Sequence, residues 1–205
     1  MKTPLIIISF LLLTSCAPIP SPPMEEEAVP VVEKVVEVPE NIRVIKNAMQ
    51  RVTKKPFGIY VNPSNSPVSP EKFAGYHTGV DFETFGYEQD TDVEIFAFCG
   101  GELVLKRMAT GYGGVTIQRC VLDGGDVTVL YGHLDLESIE AELGDGVSEG
   151  DKIGILGDGY GEETDGERKH LHLGIHKGKS TNLLGYVQDA KLLSEWIDPM
   201  TLINE

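Results

Sequence analysis

From Phe57 onward the chain alternates apolar runs of strand length with glycine-rich breaks, and this pattern restricts the fold more than any other feature. The runs DVEIFAFCGGELVLKR, GGVTIQRCVLDGGDVTVLYGHL and EGDKIGILGDG are rich in β-branched and aromatic residues. None is long or periodic enough to make a good helix. Glycine pairs at 100–101 and 124–125 have the composition of hairpin turns. The pattern predicts an antiparallel all-β domain over residues 57–203, with no internal repeat of the solenoid kind.

The residues ahead of that domain read differently. In NIRVIKNAMQRVTKK, Ile42, Ile45, Met49 and Val52 fall near helical spacing, and Asn41 suits an N-cap. A short helix is therefore expected within residues 41–56, ended by Pro56. Residues 17–40 are dense in Pro, Val and Glu. Proline fixes φ and removes an amide donor, so this stretch reads as a disordered, extended and semi-rigid tether. At ~3.1 Å per residue it could hold a domain up to about 70 Å from an anchor.

At the start, MKTPLIIISFLLLTSC has one lysine, an apolar run from Leu5 to Leu13, and small residues up to Cys16. The run is too short to span a bilayer and has the proportions of a secretory signal. Its end, Leu13-Thr14-Ser15-Cys16, resembles the bacterial lipobox. That resemblance implies a signal peptide over 1–15, lipid on Cys16, a tether over 16–40, and an exported protein anchored to a membrane. The alternative is an ordinary signal peptide with an incidental cysteine. On the lipobox reading, Ala17 points to an outer membrane facing the periplasm in a diderm host. The net charge of -15 argues against nucleic acid or anionic lipid surfaces as partners, because like charges repel. In an exported protein the remaining cysteines, Cys99 and Cys120, either form a disulfide or stay as two buried thiols.

All five histidines fall in three short motifs, YHTGVDF, VTVLYGHLD and KHLHLGIH. If HLHLGIH is a strand, His170, His172, Gly174 and His176 share one face, and Leu171, Leu173 and Ile175 pack into the core. Neighbouring imidazoles on one face repel when protonated, an objection that a shared metal or substrate removes. His77 and Asp81 would lie about 13 Å apart on a straight strand, too far for one ion. If both bind the same ion, the chain bends at Thr78-Gly79, which a glycine permits. Two histidines and one carboxylate make a three-ligand zinc site whose fourth position stays open, the arrangement used for catalysis.

With HTGVD at 77–81, YGHL at 131–134 and HLH at 170–172, the chain resembles the lysostaphin-like zinc endopeptidases of the M23 type over about residues 75–200. GYGG at 111–114 and VSEGDKIGILG at 147–157 are similar to that family's β-core. The resemblance implies an all-β fold of the lysostaphin-like, barrel-sandwich hybrid type. It implies Zn2+ held by His77, Asp81 and His172, with His133 and His170 in catalysis. It further implies attack of zinc-bound water on a peptide carbonyl, with peptidoglycan cross-links as the substrate. A non-catalytic wall adaptor on the same fold is the runner-up, set back because all five positions are filled; a zinc scavenger would want a closed site or a histidine-rich tract. The chain departs from the family pattern in the longer acidic loop 158–169, in Lys169 where a proline is common, and in Gly174 where glutamate is common. His176 matches no family position and is expected at a cleft rim or edge.

Overall fold

The computed structural model describes residues 44–203; Cys16, the tether and Asn41 lie outside the described residues. The short strands β1 (Tyr60–Val61), β2 (Gly75–His77), β3 (Gly79–Glu83) and β4 (Glu94–Phe96) come first. The long strands β5 (Gly101–Ala109), β6 (Gly113–Leu122) and β7 (Gly125–Gly132) follow, then β8 (Leu134–Asp135), β9 (Gly146–Val147) and β10 (Lys152–Leu156). The chain ends with β11 (His170–Lys177), β12 (Tyr186–Val187), β13 (Trp196–Ile197) and one helical turn, α1 (Pro199–Ile203). Every pairing is antiparallel. The main sheet runs β13-β11-β7-β6-β5-β9, with β3 also on β11, beside two three-stranded sheets, β4-β10-β8 and β1-β2-β12.

β11 organises the main sheet: β7 lies along one edge, and β3 and β13 share the other. Strand alternation sends Leu171, Leu173 and Ile175 into a core with Val80 and Phe82 of β3, Val129 and Tyr131 of β7, and Ile95, Leu134 and Ile153 of the β4-β10-β8 sheet. A smaller cluster, Tyr112, Val115, Ile117 and Leu130, covers the opposite face of the main sheet. The other face of β11 is left to its histidines.

Three expectations from the sequence are corrected. The helix within 41–56 is absent from the described part, where only a single 3-10 turn, Ala48–Gln50, forms. Val44 and Asn47 sit at φ 66° and 59°, which interrupts any helix. Arg51 competes for the backbone as well: its side chain donates to the carbonyls of Lys46 and Glu83 and to the carboxylate of Glu88. Val44, Ile45 and Ala48 nonetheless reach the main core, while Met49 faces solvent.

The pair Gly100-Gly101 is no hairpin turn, because β4 pairs with β10 and β5 pairs with β6 and β9. Gly101 serves close approach instead: a Cβ there would run into the backbone carbonyl of Arg119 on β6. The second glycine pair does mark a hairpin, but its turn residues are Asp123 and Gly124, with Gly125 already on β7. His176 is neither at an edge nor at the cleft. It pairs with Trp196 on one side and Thr128 on the other, and its ring packs edge-on against Trp196. The two remaining cysteines are joined as Cys99–Cys120, tying the approach to β5 to the end of β6.

Candidate metal centre

The chain bends at Thr78, so β2 and β3 belong to different sheets. The bend brings Nε2 of His77 to 3.3 Å from Oδ1 of Asp81, despite the four-residue separation. Gly79 is required at this turn: a Cβ would meet the carbonyl of Leu173 and lie 2.7 Å from Nε2 of His172. Register places Asp81 directly opposite His172 and Glu83 opposite His170. His172 Nδ1 then lies 3.0 Å from Asp81 Oδ1 and 3.0 Å from His77 Nε2. All three side chains are buried.

Among the described residues, these three bring their ligand atoms together as a group that could hold a metal ion. The separations suit the role, since ligands bound at about 2.0–2.1 Å around a tetrahedral ion lie about 3.3 Å apart. Burial holds the His172 imidazole down to about 4, against a smaller opposing pull from Asp81, so at neutral pH it is uncharged. Burial alone would raise the Asp81 carboxyl, but the imidazoles of His170 and His77 outweigh it and hold the group well below the usual carboxylate range. A neutral imidazole and an ionised carboxylate are the forms a divalent cation binds. His77 is oriented from behind by the carbonyl of Pro56, 3.3 Å from Nδ1, which leaves Nε2 free to face Asp81 and His172.

The two other histidines stand beside this group. Nδ1 of His170 donates to the carbonyl of Arg168 at 2.8 Å, so Nε2 points toward Asp81 Oδ2, 3.3 Å away. His133 follows β7 in the left-handed region, at φ 67°, a conformation non-glycine residues seldom adopt and often keep for function. Its ring lies 4.1 Å from that of His170, and its buried Nδ1 has no hydrogen-bond partner. Burial, reinforced by His170, pushes the His133 imidazole well below its usual value, so it too is neutral.

His133, His170 and His172 line an open cavity of about 220 Å³ together with Tyr112, Tyr186 and Leu184. All five residues singled out from the sequence thus meet at one place. Sequence reasoning missed Arg168, whose guanidinium lies 2.8 Å from Asp81 Oδ2 and also binds Glu83. The only sign of it was its place two residues before His170. The acidic loop reaches the cavity through Glu167 and Arg168, whereas Lys169 is buried and donates to the carbonyls of Gln89 and Thr91.

The fold has counterparts among solved structures. The catalytic domain of the antimicrobial peptidase lysostaphin from Staphylococcus simulans superposes with a TM-score of 0.50, at 21% identity, over 73% of this chain and 90% of that one. LytU superposes with the same TM-score of 0.50, at 22% identity, over 75% of this chain and 85% of that one. In sequence, Endolysin 2638A of Staphylococcus phage 2638A is 29% identical over 54% of this chain, which spans only 24% of that protein. Residues 75–183, more than half of the chain and a stretch containing all five residues, match peptidase family M23. The chain belongs to peptidase family M23.

Proposed function

We propose that this chain is a zinc-dependent endopeptidase that hydrolyses peptide cross-links of bacterial peptidoglycan. The observation that carries the reading is the convergence of His77 Nε2, Asp81 Oδ1 and His172 Nδ1 within 3.0–3.3 Å, beside two further histidines on a cavity wall. His77, Asp81 and His172 would hold the ion. Three protein ligands leave one position for substrate or water, as catalytic zinc sites do. When bound, zinc supplies Lewis acidity, polarising a carbonyl oxygen and making water acidic enough to lose a proton near neutral pH. His170, with Nδ1–H fixed on the Arg168 carbonyl, is oriented to take up and return a proton at Nε2. His133, neutral and unpartnered at Nδ1, is placed to donate to the oxygen on which negative charge develops.

Peptidoglycan is favoured by the names of the relatives, an endolysin and an antimicrobial peptidase. It also suits the lipobox-like start, which would anchor the chain in the cell envelope through Cys16, on an outer membrane in a diderm host. Metal analysis tests the site: wild type should retain about one zinc per chain, and Asp81→Ala should retain none. Equal zinc content in both would refute it. Cys16→Ala should move the protein from membrane to soluble fractions, and continued membrane association would remove the anchor from the account.

A further inference from the structure

The strand that supplies Asp81 supplies a second carboxylate. Asp81 and Glu83 are two apart on β3, so they share a face, and register sets them opposite His172 and His170. Two carboxylates and two imidazoles therefore stand side by side on one face of the β3–β11 pair. A divalent cation there would attract both carboxylates, and a fourth protein ligand would close the position a catalytic ion keeps open.

Arg168 engages both oxygens of Glu83. Its Nε lies 2.9 Å from each Glu83 oxygen and its Nη2 lies 2.5 Å from Oε1, while Lys54 reaches Oε2 at 3.1 Å from the solvent side. The same Nη2 donates to Asp81 Oδ2 at 2.8 Å. Asp81 is thereby left with Oδ1, the oxygen that faces His77 and His172. The backbone carbonyl of Arg168 meanwhile accepts from Nδ1 of His170 and fixes that ring. Only a planar guanidinium offers several donors in a fixed fork, so a point charge could not grip both carboxylates in this way.

We propose that Arg168 is a positioning residue that keeps Glu83 out of the metal's coordination shell and restricts Asp81 to one ligating oxygen. The inference rests on the metal-site reading given above. Its signature is that Glu83 becomes harmful once Arg168 is gone.

Cobalt(II) is the probe, because its visible absorption weakens as ligands are added to a four-coordinate site. The full chain is compared as wild type, Arg168→Met and Arg168→Met/Glu83→Gln. Arg168→Met should show a weaker cobalt band and a kcat lower by about 10–100-fold, the usual cost of losing a residue that orients a metal ligand, with KM little changed. Adding Glu83→Gln should restore the wild-type band and most of kcat. A wild-type band in Arg168→Met, or a weak band that persists in the double variant, overturns the proposal. If Arg168→Met does not fold, Arg168→Lys is read in the same way, with a smaller change in the same direction. The band needs no substrate, so it reports on Arg168 whichever bond the enzyme cuts. A wild-type chain that binds no cobalt would instead refute the metal site itself, and this role with it.

Discussion

The polar groups of the cavity separate by how their atoms are tied. His77 and His170 each have Nδ1 against a backbone carbonyl, of Pro56 and of Arg168, and His172 lies between Asp81 and the bend. His133 differs: among the described residues its buried Nδ1 has no partner, a state it shares among the histidines only with Nδ1 of His176, outside the cavity. On the proposed division of labour, His133→Ala and His170→Ala keep one zinc by metal analysis and lose about 10²–10⁴ in turnover, the range of general acid–base groups. Loss of metal in both variants would contradict that division. All five of these residues were legible in the sequence, because histidine is scarce and its motifs are short and ordered. Arg168 was not: its contact with Asp81 and Glu83 depends on the pairing of His170 with Glu83, and nothing local to ERKHLH encodes that register.

Among elements, the bend between β2 and β3 matters most. Gly79→Ala places a methyl group against the carbonyl of Leu173 and the ring of His172, so β3 must move away from β11. The expected result is a loss of about 1–3 kcal/mol in stability and a loss of zinc retention, checked by thermal melts and metal analysis. Unchanged metal content would mean that the bend does not set the ligand spacing. The need for that bend was readable from the four-residue spacing, since a straight strand could not join His77 to Asp81. The segment before Pro56 was not readable, because its helical spacing is overridden by a buried cation. Arg51 hydrogen bonds hold the Glu88 carboxyl below its ordinary 4.5, outweighing burial. Folded below unfolded means the pair's stabilisation is complete above pH 4.5 and is lost as pH falls through the lower folded value. Arg51→Met should cost about 3 kcal/mol at neutral pH and remove that part of the acid-side loss, as followed by denaturant melts across the acid range. An acid limb identical to wild type would show that another carboxylate is responsible.

For the molecule as a whole, the glycine-punctuated runs specified an antiparallel β fold but not how its strands divide among three sheets. That partition depends on which glycines turn the chain and which allow close approach, as Gly101 shows against Arg119. The disulfide was open at the sequence level, because bridging depends on a Cα separation, here 6.2 Å, that only the β5–β6 register supplies. It spans 21 residues, so replacing both Cys99 and Cys120 by alanine should lower stability by about 3 kcal/mol in denaturant melts. No change would place those residues outside the stabilising framework. The most direct test of the central claim is mass spectrometry of the products released from intact peptidoglycan by the zinc-loaded chain. Monomeric stem peptides should accumulate at the expense of cross-linked dimers, with a chelator stopping the reaction. Unchanged cross-links, from a chain carrying one zinc, would contradict that claim.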